Sequence, residues 1–289
     1  MQTRLPGWQG LTLGADAEGP EDGPPVVLLH GGGQTRHSWA GTLRQLGAGG
    51  WRAYSVDLRG HGESDWPEDG DYSLNAFASD ITAVAESFGR PTALVGASLG
   101  GMSSLVAVTR AADQAGLTSS LVLVDIAHRM EQQGRDRIGA FMNAKPEGFE
   151  SLDEVADAIA AYNPHRPRPT DLSGLSKNLR QREDGRWVWH WDPRFLTGIR
   201  GSIDETRASE FAGKPGALET AVRSLTVPTL LVRGRSSDLL SEEAAQEFLQ
   251  LVPHAEFADV AGAGHMVAGD RNEVFNQAIL GFLDRHRPA

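Results

Sequence analysis

From Pro24 onward, short β-branched apolar runs alternate with stretches in which apolar residues recur every three or four positions, the pattern of a largely parallel sheet wrapped by helices. It predicts strands at Val26–His30, Ala53–Asp57, Thr92–Gly96, Leu121–Asp125, Thr229–Arg233 and Glu256–Val260. Their apolar character is continuous rather than alternating, as burial on both faces requires. Leu74, Phe77, Ile81, Val84 and Phe88 mark a core-facing helix over Leu74–Phe88, and Ser241–Val252 opens on Ser-Glu-Glu, a good N-cap with an acidic first turn. Asn272–His286 carries Val274, Phe275, Ala278, Ile279 and Phe282 on one stripe and predicts a closing helix. Ahead of Pro24, Leu11 and Leu13 alternate with polar residues and point to an antiparallel hairpin at the sheet edge.

The rhythm breaks once. Ile126 to Thr226 spans 101 residues, where an ordinary crossover needs only a dozen or two. Ser151-Leu-Asp-Glu154 is a capping box that starts a helix to about Tyr162, Asn163–Thr170 is a turn rich in proline and arginine, and Ile203–Phe211 and Ala217–Leu225 have helical spacing. The insertion is therefore a folded, mostly helical unit. This divides the chain into a sheet domain, residues 1–127 and 223–289, and a cap, residues 128–222. The cap carries a net charge of −1 and the remainder −10, so the acidity belongs to the sheet domain.

At 289 residues the chain has room for one large domain with a substantial insertion. Having no cysteine, it excludes disulfides, a thiol nucleophile, iron–sulfur clusters and thiolate zinc sites. The net charge of −11 argues against binding to nucleic acid or to an anionic membrane. No apolar run approaches the length of a membrane span, and the first residues lack the apolar core of a secretory signal, so a cytoplasmic protein is expected. No Walker-type loop and no Gly-x-Gly-x-x-Gly occurs, so no cofactor is expected.

Chemistry concentrates at the ends of the predicted strands. Gly96-Ala-Ser98-Leu-Gly100 spans the third strand's end and the start of an apolar helix. A serine on so sharp a turn needs small neighbours, and the following N–H, that of Leu99, sits at a helix N-terminus where it can meet a developing oxyanion. His30-Gly31-Gly32-Gly33 follows the first parallel strand, from which Gly32, or Gly33 as its close second, supplies the other oxyanion donor. A serine hydroxyl needs a base, and the base an orienting carboxylate. Of nine histidines only His265 lies on a glycine-rich loop directly after a late strand, and Asp238 follows the strand before it. The order Ser98, Asp238, His265 is that of a strand-elbow triad, with Asp125, at the end of the fourth parallel strand, as the alternative acid.

Other features have blander readings. His61-x-Glu63-x-Asp65 resembles a metal cluster without the partners to complete it, and Asp57-Leu-Arg-Gly-His-Gly-Glu-Ser64 is read as a brace for its turn, with no metal assigned. Trp187, Trp189 and Trp191 fall on one face of an extended segment, either as the insertion's own core or as an aromatic wall over a pocket. The core reading is favoured slightly, and the three are kept with His30, Phe141 and Met266 as candidate substrate contacts. Arg129, Arg166 and Arg168 are the cations that an acidic substrate would require.

In combination, His30-Gly-Gly-Gly33, Asp57-Leu-Arg-Gly-His-Gly62 with Ser64, Gly96-Ala-Ser-Leu-Gly-Gly101, Gly234-Arg-Ser-Ser-Asp238 and Gly264-His265 resemble the α/β-hydrolase family over nearly the whole chain. The resemblance implies an α/β fold with an eight-stranded, mostly parallel sheet and a helical cap inserted after the sixth strand. It also points to the branch of small-ester and lactone hydrolases, cofactor-free haloperoxidases, epoxide hydrolases and carbon–carbon bond hydrolases. Epoxide hydrolases and haloalkane dehalogenases carry aspartate at the elbow, where this chain has Ser98. The expectation is a serine hydrolase cleaving an ester or lactone of a small, largely apolar molecule. The rivals are a carbon–carbon bond hydrolase and a catalytically silent binding protein on the same scaffold. A homo-oligomer is compatible with the sequence.

Overall fold

A computed structural model describes residues 1–163, 168, 170–197, 217–261 and 273–288. The chain begins with strands β1 (Gln2–Pro6) and β2 (Thr12–Glu18), paired antiparallel with Leu5 opposite Leu13, which is the hairpin expected ahead of Pro24. Next come β3 (Pro25–Leu29), helix α1 (Ala40–Ala48), β4 (Arg52–Val56), α2 (Leu74–Ser87), β5 (Ala93–Ala97), α3 (Leu99–Arg110), the short α4 (Gln114–Leu117) and β6 (Ser120–Val124). The cap follows, with α5 (Gln132–Met142), α6 (Leu152–Tyr162), and a small hairpin of β7 (Leu179–Gln181) and β8 (Trp187–Trp189). Then α7 (Ala217–Arg223) leads back to β9 (Thr229–Gly234), α8 (Glu242–Leu251), β10 (Glu256–Val260) and α9 (Glu273–Arg285).

The eight long strands form one sheet in the order β1-β2-β4-β3-β5-β6-β9-β10, with β2 antiparallel to β4 and every later pair parallel. Each parallel strand begins within a residue of its expected start. Burial explains why they were legible. All residues of β3, β5, β6 and β9 are buried, and period-two alternation sends them to two separate cores. Val27, Leu29, Leu94, Leu121, Leu123 and Leu231 pack under α2, α3 and α8, while Val26, Leu28, Val95, Val122, Val124 and Val232 pack under α1 and α9. Among the described residues, no helix is long and apolar enough to cross a membrane.

The cap is mostly helical, as expected, with one addition that the sequence pattern did not place. Its capping box is present, with Ser151 Oγ accepting from the Glu154 N–H at 3.2 Å, but Leu179–Trp189 is a β-hairpin. The signal for it was Asp184-Gly185: Gly185 has φ 83°, and Asp-Gly between short extended runs favours such a turn. The predicted helix Ile203–Phe211 and most of the Asn163–Thr170 turn lie outside the described residues. The cap's own small core gathers Phe149, Val155 and Leu179 with Trp187 and Trp189 packed against them.

Candidate active site

β5 ends at Ala97 and α3 starts at Leu99, so Ser98 alone reverses the chain. It does so at φ 46° and ψ −112°, a conformation that costs a side-chain-bearing residue about 1–3 kcal/mol and persists only where its surroundings impose it. Here they do: the Ser98 N–H donates to the Val124 carbonyl at 3.2 Å, and the Gly100 N–H donates to the His30 carbonyl at 3.1 Å. A β-carbon on Gly96 would lie 2.4 Å from the Gly101 nitrogen, and one on Gly100 would lie 2.5 Å from the Leu29 carbonyl oxygen. Backbone occupies both places, so the turn requires glycine at both.

The loop after β3 runs alongside. A β-carbon on Gly31 would touch Ser98 Cβ at 3.4 Å. Two of this loop's three glycine N–H groups are already spoken for: Gly31 donates to Gln34 Oε1 at 3.0 Å, and Gly33 donates to His61 Nε2 at 3.2 Å. The Gly32 N–H has no partner among the described residues. Leu99 opens α3, where the first N–H groups of a helix lack intrahelical acceptors. Gly32 and Leu99 are therefore the donors left to meet an anionic oxygen.

His30 faces the protein interior. It is fully buried, its Nε2 accepts from the Leu58 N–H at 3.0 Å, and its Nδ1 consequently carries the proton and donates to the Gly31 carbonyl at 2.8 Å. Both nitrogens are consumed in tying the glycine loop to the turn after β4. Burial lowers its pKa to about 4, and burial together with the neighbouring His30 lowers that of His61 to about 3, so both are neutral imidazoles. His61 Nδ1 donates to the Arg59 carbonyl at 2.9 Å, which leaves Nε2 as the acceptor for Gly33. The sequence read His61 as part of a brace; its grip on the glycine loop was not foreseen, because the partners are 28 positions apart. The brace itself centres on Asp57, which accepts from the Arg36 guanidinium and, at 3.0 Å, from the Glu63 N–H.

The two candidate acids stand differently. Asp125 is 1% exposed, has φ 53°, and accepts from the Gly234 N–H at 3.1 Å and the Ser237 hydroxyl at 2.6 Å. Asp238 is more open, with 28% of its side chain exposed, and its Oδ2 lies 2.6 Å from Arg137 Nη1 of the cap helix α5. Arg137 also donates to the Tyr162 carbonyl and lies 4.8 Å over the Tyr162 ring. His265 and Met266 lie outside the described residues.

Between the glycine loop and the cap is a pocket walled by Gly32, Gly33, Phe141, Met142, Val155, Ile159, Leu175, Asn178, Trp189 and Trp191. Trp189 and Trp191 are stacked, with ring centroids 5.1 Å apart and planes 9° from parallel. The tryptophan motif thus divides its labour: Trp187 packs only with the cap's core, Trp191 joins the sheet-domain core, and Trp189 packs against both cores. Trp189, Trp191 and Phe141 reach the pocket, and the described residues of its lining include no charged one. Arg129 is instead spent on Glu243 and Glu247, and Arg168 on Asp153 and Asp157, while Arg166 lies outside the described residues.

Residues 26–278 match the model of the alpha/beta hydrolase family. The chain belongs to that family. It is 32% identical over 270 residues to an esterase of Mycobacterium tuberculosis, covering 90% of this chain and 83% of the relative. It is 31% identical over 276 residues to the 2-(acetamidomethylene)succinate hydrolase of Mesorhizobium japonicum, covering 95% and 92%. A crystal structure of an E-2-(acetamidomethylene)succinate hydrolase superposes with a TM-score of 0.81 at 27% identity, over 98% of this chain and 99% of that one. With a strained serine at the elbow of this fold, the alpha/beta hydrolase described here is a serine hydrolase.

Proposed function

We propose that this enzyme hydrolyses a carboxylic ester or lactone of a small, uncharged, largely apolar molecule through an acyl-enzyme on Ser98. The observation that carries the reading is the conjunction at the elbow: a serine held at φ 46°, two backbone donors beside it without partners among the described residues, and an adjoining pocket whose described lining is uncharged. Ser98 Oγ attacks the carbonyl carbon while His265 takes its proton. The N–H groups of Gly32 and Leu99 receive the carbonyl oxygen as it becomes an oxyanion, an arrangement in which each donor is worth on the order of 10²–10³ in turnover. His265 returns the proton to the leaving alcohol, which departs as the acyl-enzyme forms. It then activates the water that releases the acid and restores Ser98.

For the acid that orients His265, the surroundings favour Asp125 over Asp238. A triad carboxylate must be ionised, fixed and shielded. Asp125 is buried at the end of its strand and fixed there by the Gly234 N–H and the Ser237 hydroxyl. Asp238 spends its charge on Arg137, which makes it a tie between sheet domain and cap.

The uncharged lining of the described residues, with Arg129 and Arg168 paired elsewhere, supports this reading over a carbon–carbon bond hydrolase acting on an acidic dienoate. The net charge of −11 supports a small-molecule substrate over nucleic acid. Labelling by a fluorophosphonate probe tests the core of the reading: the folded protein should be tagged at Ser98 and Ser98→Ala should not. A folded protein that resists the probe would instead be a silent binding protein.

A further inference from the structure

Among the described residues that line the pocket beside the glycine loop, the one with a side-chain hydrogen-bonding group besides the tryptophan indoles is Asn178. Its orientation is fixed from the sheet domain: the Thr35 hydroxyl donates to Asn178 Oδ1 at 2.8 Å. Thr35 is 2% exposed and lies two residues beyond Gly33, so the segment that carries the oxyanion donor also aims this cap residue. On the other side, the Asn178 carbonyl accepts from the His190 N–H at 3.1 Å, which anchors its backbone to the strand of Trp189. With Oδ1 occupied, the amide presents Nδ2, and Nδ2 has no acceptor among the described residues. It is also absent from the buried atoms that lack a partner, so it is reachable. A primary amide nitrogen is a donor only. When a ligand covers it, that donor must find an oxygen on the ligand or lose its hydrogen bonds to water.

We propose that Asn178 determines specificity in this pocket: its Nδ2 donates to an uncharged acceptor oxygen, an ether or carbonyl, on the part of the substrate remote from the scissile group. The substrate class is thereby narrowed from apolar esters to neutral esters or lactones that carry a second oxygen function. The apolar and aromatic wall supplies burial, and Asn178 supplies selection, because an unpaired buried donor penalises the all-carbon analogue. The inference rests on the ester-hydrolase reading for its catalytic form. A binding form of the test separates the two.

Two isosteric ester pairs provide the comparison: ethyl 3-methoxypropionate against ethyl pentanoate places the oxygen in the acyl chain, and 2-methoxyethyl propionate against butyl propionate places it in the alcohol. For the wild-type enzyme, kcat/KM should favour the ether member of one pair about three- to tenfold, mostly through KM. Asn178→Leu should abolish that preference. Asn178→Asp keeps the acceptor for Thr35 but replaces the donor with an anion, and it should reverse the preference. The same esters titrated against Ser98→Ala, read by tryptophan fluorescence, should show the same ratio and the same dependence on Asn178. Dependence seen in binding without any wild-type turnover would leave the specificity assignment standing and remove the ester reading. Equal ratios in wild type, Asn178→Leu and Asn178→Asp, or no ether preference in either pair, would overturn the assignment of Asn178 while leaving Ser98 chemistry untouched.

Discussion

Ser98 and Asp125 directly follow neighbouring parallel strands, both at positive φ, 46° and 53°, and they are joined through the backbone by the Ser98 N–H bond to Val124, the residue before Asp125. Each ends its strand with a side chain held in place by strain that the flanking hydrogen bonds sustain. The pairing sets the separation of Ser98 and Asp125 from within the sheet, independently of where the cap sits.

Exchanging each carboxylate for its amide should therefore separate the roles. Asp125→Asn is expected to lower kcat on an activated aryl ester by on the order of 10⁴, because an amide stabilises the wrong imidazole tautomer. Asp238→Asn should leave kcat within a few-fold of wild type and change stability by less than about 1 kcal/mol, as for a partly exposed ion pair. Steady-state kinetics of both variants at neutral pH provide the check, and a collapse of kcat in Asp238→Asn with Asp125→Asn active would return the acid to the later loop.

His61 Nε2 accepts from the Gly33 N–H and so ties down the loop that carries Gly32, which predicts an effect on turnover without contact with substrate. His61→Ala should lower kcat about 10- to 100-fold with little change in KM. His61→Gln, which can still accept from Gly33, should recover much of the loss. Equal damage from both, accompanied by equal loss of stability, would mean that the imidazole serves packing alone.

The two buried histidines also set a pH limit. Their folded pKa values of about 4 for His30 and about 3 for His61 lie below the ~6.5 of an unfolded histidine. Between those values the unfolded state binds more protons, so their contribution is complete above about pH 6.5 and is lost as the pH falls toward 4 and then 3. The loss should approach roughly 1 kcal/mol per pH unit for each imidazole. Urea midpoints measured from pH 7.5 to 4.5 should fall with acidification, and His61→Gln should fall less steeply. A parallel fall would assign the whole slope to other groups.

What was legible in the sequence follows from how local each determinant is. The parallel strands announce themselves because both faces of Leu94 and Val95, or of Val122 and Leu123, are buried, which leaves unbroken apolar runs. Ser98 is legible because steric exclusion at Gly96 and Gly100 writes its requirement into five consecutive positions. The different surroundings of Asp125 and Asp238 were not, since both follow strand ends and the difference lies in partners such as Ser237 and Arg137. The Thr35–Asn178 bond spans 143 positions and leaves no pattern in either segment.

Glycine substitutions weigh the elbow's strain against an ordinary helix position. On Gly100 a methyl group would meet the Leu29 carbonyl oxygen at 2.5 Å, an atom in the middle of the sheet that cannot yield. Gly100→Ala should cost about 3 kcal/mol or more, and by tilting the start of α3 it should displace the Leu99 N–H and abolish fluorophosphonate labelling even where the protein remains folded. Gly139, inside α5, has nothing within 4 Å of a built β-carbon. Gly139→Ala should stabilise the protein by about 0.5–1 kcal/mol through helix propensity and reduced unfolded-state freedom, with labelling unchanged. Urea melts and probe labelling of the two variants side by side distinguish strain at the nucleophile from a general intolerance of added methyl groups. Normal labelling of Gly100→Ala at wild-type stability would mean that the turn at Ser98 is not held by the contact with β3.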